Sequence, residues 1–104
     1  MATAPSVTIL VHPLLTDRFR ARAHVVWARH IDATVLLDAE RGRYYTLNEV
    51  AGRTWELLAA GEPVIEILRC LGDEYEVPAE TLQADVAELL ERLLMAALIE
   101  RVQP

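Results

Sequence analysis

The sequence predicts an α+β domain, a three-stranded antiparallel sheet followed by three helices, and three observations carry that prediction. Three short runs rich in β-branched and aromatic residues lie close together between positions 24 and 47. Connections that short cannot hold a crossover, so neighbouring strands must run antiparallel as a meander. Beyond Asn48 the apolar spacing changes from every second residue to every third and fourth, the period of a helix face. Gly61, Pro63, Gly72 and Pro78 then punctuate the remainder into helical stretches.

The first strand is expected over residues 24–29, with Val25, Val26 and Trp27, and the second over Thr34–Asp38 after a short turn at 30–33. Residues 38–42 supply turn chemistry, and Gly42 is the natural left-handed residue to close a hairpin. In the third strand, Arg43–Leu47, the residues Arg43, Tyr45 and Leu47 share one face while Tyr44 and Thr46 share the other, which aims Leu47 at the core. Asn48 ends the strand and caps the first helix, because its side-chain oxygen can accept an orphan amide of the first turn; Glu49 suits the positive helix end.

The first helix is expected over residues 49–60, with Gly61 as its stop. Gly52 lies inside it and costs about 0.8–1.0 kcal/mol against Ala, which close packing against a neighbouring backbone would explain as well as simple tolerance. Pro63 opens the second helix, where Val64, Ile67, Leu68 and Leu71 fall at i, i+3, i+4 and i+7. Pro78 opens the third, which has two apolar stripes: Leu82, Val86, Leu89 and Leu93, and beside it Leu90, Leu94 and Ala97. Two stripes need two partners, the core and either more core or a groove against the sheet.

At 104 residues, 53% hydrophobic and 25% charged, the chain suits one domain with one core. Residues 24–102 form that domain, and residues 1–23 an extension that is partly disordered or adds an edge strand. The apolar run at 7–11 is interrupted by His12 and Pro13, and proline confines such a run to an edge. All ten basic residues are Arg. Residues 1–30 carry four Arg and one Asp, residues 31–61 three Arg and five acids, and residues 62–104 three Arg and ten acids, which sums to the net charge of -6. Nucleic-acid binding needs a basic stripe, and the helices that would enter a groove are acidic. No run reaches the roughly 18–20 apolar residues that span a membrane, and no charged n-region precedes the first apolar run, so the chain reads as cytoplasmic.

No catalytic constellation emerges. His12, His24 and His30 stand at no recognised metal spacing, and the lone Cys70 reads as a buried inert thiol. Asp73, Glu74 and Glu76 lack the spacing of a calcium loop and read as a solvated helix end. The four glycines are too scattered for a phosphate loop. No cofactor, metal or catalytic residue is assigned, and the chain is read as a binding protein rather than an enzyme.

The order Leu37-Asp38, Gly42-Arg43-Tyr44-Tyr45, Leu47-Asn48, Gly52, Trp55, Leu58 and the run at 85–99 resembles the PqqD-like family. These are peptide-recognition domains of ribosomal-peptide (RiPP) maturation, and the stand-alone leader-binding proteins of lasso-peptide pathways fall within them. The resemblance spans roughly residues 24–99. Family members commonly close with Gly-Leu-Leu after the third helix, where Ala97, Leu98 and Ile99 stand here; small-then-apolar is kept, so little change is expected.

The resemblance implies a winged helix-turn-helix-like fold used for peptide rather than DNA. It implies that a precursor's leader adds as a strand along the third strand, in a groove bounded by the third helix. By position the edge is Arg43, Tyr44, Tyr45, Thr46 and Leu47, and the wall is Gln83, Ala87, Leu90, Glu91 and Leu94. On that basis an arginine at Leu90 or Leu94 should abolish leader binding in a domain that still folds. The implied function is a non-catalytic adaptor that holds the leader and presents the core peptide to separate enzymes, a leader peptidase of the transglutaminase-like cysteine-protease type and an ATP-dependent macrolactam synthetase. An accessory role beside a radical SAM peptide-modifying enzyme is the alternative. A winged-helix transcription regulator fits less well, because Asp85, Glu88 and Glu91 oppose DNA.

Overall fold

The structure, a computed structural model, describes residues 15–102. The expected run at 7–11, with His12 and Pro13, lies outside those residues. Eight elements follow in order: β1 (Phe19–Ala21), β2 (Val25–Arg29), β3 (Thr34–Asp38), β4 (Arg43–Leu47), α1 (Glu49–Ala59), α2 (Val64–Glu74), α3 (Ala79–Met95) and β5 (Ile99–Arg101). The expected meander is β2, β3 and β4, antiparallel and in that spatial order. Its register pairs Val26, Leu37 and Tyr44 in one row and Trp27, Leu36 and Tyr45 in the next. On β3 the side chains of Thr34, Leu36 and Asp38 are buried while Val35 and Leu37 are half-buried, so the helices cover one face of the sheet.

The β3–β4 hairpin is held by Asp38. Its Oδ1 accepts from the amides of Glu40 and Arg41, each at 3.0 Å, and its Oδ2 from the Arg41 guanidinium at 3.1 Å. Gly42 closes the turn at φ +68°, the left-handed conformation expected of it. Burial by itself would raise the Asp38 carboxyl, but the amides of Arg41 and Glu40 and the Arg41 guanidinium, with His24 nearby, hold it below the ordinary carboxylate range.

Asn48 caps α1 as expected, its Oδ1 accepting from the Ala51 amide at 2.9 Å. The close approach at Gly52 is to a side chain rather than a backbone: a Cβ there would sit 2.5 Å from Thr34 Oγ1. Glycine therefore lets α1 lie directly on β3. Trp55 is fully buried on the same helix and meets Trp27 edge-on, with ring centroids 6.2 Å apart. The Val64, Ile67 and Leu71 stripe of α2 is buried, while Leu68 and Cys70 are half-buried, so the thiol is less enclosed than expected. Glu74 is also more than a solvated helix end. Its carboxylate takes two bonds from Arg53, both 2.9 Å, tying α2 to α1 and lowering the Glu74 carboxyl.

Two three-residue strands lie outside the expected runs: β1 falls within the 1–23 extension, for which an edge strand was one alternative, and β5 follows α3 where no strand was expected. β1 pairs antiparallel with β5, Phe19 opposite Arg101, and Phe19 is buried in the core with Leu98 and Ile99. The chain enters this ribbon through a Schellman turn at the end of α3: the Ala97 amide donates to Leu94 O and the Leu98 amide to Leu93 O, each at 3.0 Å. Ala97 has φ +60°. Replacing the glycine common in the family is thus a strained substitution, contrary to the expectation that it changes little, because an L-residue in that conformation costs roughly 1–2 kcal/mol. α1 ends in the same motif with Gly61, at φ +91°, in the corresponding place.

Candidate functional site

Among the described residues β4 is an edge strand, and the hydrogen-bond phase of the sheet determines what it offers. The Ala39 amide donates to His24 O at 2.9 Å and the His30 amide to Ala33 O at 2.7 Å, so the odd-numbered residues of β3 point their backbone groups at β2. Alternation then aims Thr34, Leu36 and Asp38 at β4, where they meet Leu47, Tyr45 and Arg43. Tyr44 and Thr46 are left with backbone N–H and C=O groups pointing away from the sheet, two residues with two groups each. No backbone or side-chain bond is made to them among the described residues. Their side chains stand on the face away from the helices, with Tyr44 71% exposed.

The remaining edge residues play a different part. Leu47 is buried and Tyr45 half-buried against the core, so both hold β4 in place with their side chains. Arg43 is exposed beside the turn.

A cleft opens where β4 ends. It has a volume of about 250 Å³ and lies between the first turns of α1, with Asn48, Val50, Ala51 and Thr54, and one face of α3, with Asp85, Val86, Glu88, Leu89 and Arg92. Small-molecule sites usually span roughly 300–1,000 Å³, so this cleft is on the scale of peptide side chains. Its floor is apolar, and its rim carries the Glu88–Arg92 pair at 2.9 Å.

The α3 face in this cleft differs from the wall carried over by resemblance. At 3.6 residues per turn, Gln83, Ala87, Leu90, Glu91 and Leu94 form a stripe centred on the opposite side of the helix from Asp85, Leu89 and Arg92. Leu90 is only 1% exposed and belongs to the core, so an arginine there would unfold the domain rather than test a groove. Gln83 lines a separate hollow with Leu68, Gly72, Val77, Ala79 and Leu82, between α2 and α3. Ala87 and Glu91 are half-buried, and Leu94 is 37% exposed near the end of α3. Sequence reasoning missed Asn48, Val50, Ala51, Thr54 and Arg92 as cleft residues. The sequence places Leu89 in one apolar stripe with Leu82, Val86 and Leu93, and only the structure shows that it is half-buried while those three are buried.

Among the described residues no group of three or more His, Cys, Asp or Glu is placed to hold a metal ion, and no helix is long and apolar enough to cross a membrane. His24 is close to Asp38, with Nε2 3.7 Å from Oδ1, but this buried nitrogen has no hydrogen-bond partner.

Comparison with known proteins agrees with this architecture. The family described as coenzyme PQQ synthesis protein D (PqqD) matches residues 33–99. Among solved structures, TbiB1 in complex with the TbiA(beta) leader peptide is 32% identical, with a TM-score of 0.74 over 82% of this chain and 99% of that one. A lasso peptide synthetase B1 complexed with the leader peptide is 29% identical, with a TM-score of 0.73 over 80% of this chain and 98% of that one. No curated protein matches. With the family matched from β3 to the start of β5, over more than half its length, this chain belongs to the PqqD family.

Proposed function

We propose that the protein is a non-catalytic adaptor of ribosomal-peptide biosynthesis that binds a precursor's leader as an added strand on β4. One observation carries the reading: the edge at Tyr44 and Thr46, unpaired among the described residues, ends one residue before Asn48 in the wall of a cleft with an apolar floor, in a chain similar to two solved complexes with leader peptides. An extended peptide gains affinity from backbone pairing, while alternate side chains entering a pocket give choice. The wall of this groove is the Asp85, Leu89 and Arg92 face of α3. Of the expected stripe, Leu90 packs into the core from the other side of α3, while Gln83 and Leu94 are exposed.

Holding the leader at the edge raises the effective concentration of the core peptide at its processing enzymes. In a lasso pathway these are a leader peptidase and a macrolactam synthetase, acting in the cytoplasm where the precursor is made. The match to the PqqD description favours a second reading, in which the same edge serves a radical enzyme that modifies a peptide. The two differ only in which enzyme the loaded adaptor meets, so co-purification with each candidate enzyme separates them.

Fluorescence anisotropy with the leader peptide encoded nearest this gene, against its scrambled form, tests the reading. Saturable binding of the leader alone is expected, and Leu89→Arg should remove it in a protein that still unfolds cooperatively, at a somewhat lower melting temperature because Leu89 also packs on the core. Equal binding of leader and scramble would overturn it.

A further inference from the structure

The cleft beside β4 contains a charge that strand pairing does not use. Its ionic side chains are Asp85, Glu88 and Arg92. Glu88 and Arg92 are bonded to each other at 2.9 Å, one turn apart, and cancel. The polar side chains of the α1 wall are engaged with their own helix: Asn48 Oδ1 accepts from the Ala51 amide, and the Thr54 hydroxyl donates to Val50 O at 2.9 Å. Asp85 makes no hydrogen bond or ion pair among the described residues. A lone carboxylate thus stands beside an apolar floor of Val50, Ala51, Val86 and Leu89.

We propose that Asp85 is a specificity residue, selecting peptides that place a lysine or arginine next to the apolar side chain filling the cleft. The proposal rests on the leader-binding reading and names the chemistry that reading leaves open. Asp85 is exposed beside the cleft, and β4 ends one residue before Asn48 in the cleft wall; a peptide strand that continues past that point would displace water from Asp85, and an opposite charge beside it would gain strength as the effective dielectric falls. A neutral neighbour would leave the carboxylate partly desolvated and unpaired, and an acidic one would add repulsion. The preference is therefore graded, with cations first and acids last. The long-range field acts in the same direction, since residues 62–104 carry ten acids against three Arg.

The test is selection of random displayed peptides on the purified full chain, in the wild type, Asp85→Asn and Asp85→Lys. The wild type should enrich an apolar residue with Lys or Arg at one fixed offset. Asp85→Asn should erase the cation but keep the apolar residue, and weaken the selected peptides about fivefold, the scale of one partly exposed ion pair. Asp85→Lys should replace the cation with Asp or Glu. Wild-type peptides that share the apolar residue without a cation, or an Asp85→Asn profile that retains the cation, would overturn this proposal and leave leader binding standing. A purely structural Asp85 would lower the melting temperature while the residue preference stayed fixed, which also overturns it. Selection that yields no shared sequence would overturn leader binding itself, and this proposal with it.

Discussion

Thr46→Pro separates strand addition from every other way a peptide could meet this surface. The Thr46 N–H points away from β3, so proline removes no bond of the β3–β4 ladder, and edge strands tolerate proline where that side faces solvent. The same substitution at Tyr45, whose N–H faces β3, removes a ladder bond and should destabilise the sheet. On binding, Thr46→Pro leaves one carbonyl of the added strand without its donor. A buried acceptor left unpaired costs about 1–3 kcal/mol, which corresponds to a loss of affinity between about 5- and 150-fold. Thermal unfolding and anisotropy on the same preparations give the two readouts. Thr46→Pro should fold like the wild type and bind at least about fivefold more weakly. Wild-type affinity in a folded Thr46→Pro would refute pairing along β4.

Ala97→Gly relieves a left-handed alanine at the end of α3 and should stabilise the domain by about 1 kcal/mol, after the greater freedom of glycine in the unfolded chain is subtracted. Differential scanning calorimetry should show a melting temperature about 4–8 °C higher. Gly52→Ala should destabilise despite alanine's better helix propensity, because its Cβ would press on Thr34 Oγ1; urea unfolding should show that Thr34→Ala recovers part of the loss. The carboxyl of Asp38 titrates lower in the folded chain than in the unfolded one. Its contribution is therefore fully present above the unfolded value near pH 4 and is lost as pH falls through the folded one. Melting temperature should drop below pH 4, and less steeply in Asp38→Asn, whose starting stability is lower.

What could be read from the sequence was local. Gly42, Asn48 and Gly61 act within a few residues of themselves, through a turn, a cap and a stop, and each appears where its chemistry places it. The β1–β5 ribbon joins Phe19 to Arg101 through strands of three residues, too short to show an alternating pattern and too far apart for either to signal the other. The cleft wall was hidden for another reason. Leu89 and Leu90 are adjacent and both apolar, and only the rotation of α3 against α1 and α2 sends Leu90 into the core and Leu89 to the cleft. Periodicity identifies the stripes of a helix but not which neighbour each will meet. In the sequence Asp85 is one of three acids on the third helix that oppose DNA; the Glu88–Arg92 pair and the cleft leave it as the unmatched charge.

Residue-resolved amide exchange with and without the leader peptide tests the central claim most directly. In the free protein the amides of Arg43, Tyr45 and Leu47 should already be slow, because they point at β3, while those of Tyr44 and Thr46 exchange fast. Adding leader should slow Tyr44 and Thr46 together and leave their neighbours nearly unchanged. Protection that falls instead on Trp27 and Arg29, the outward residues of β2, or that leaves Tyr44 and Thr46 fast at saturating leader, would contradict it.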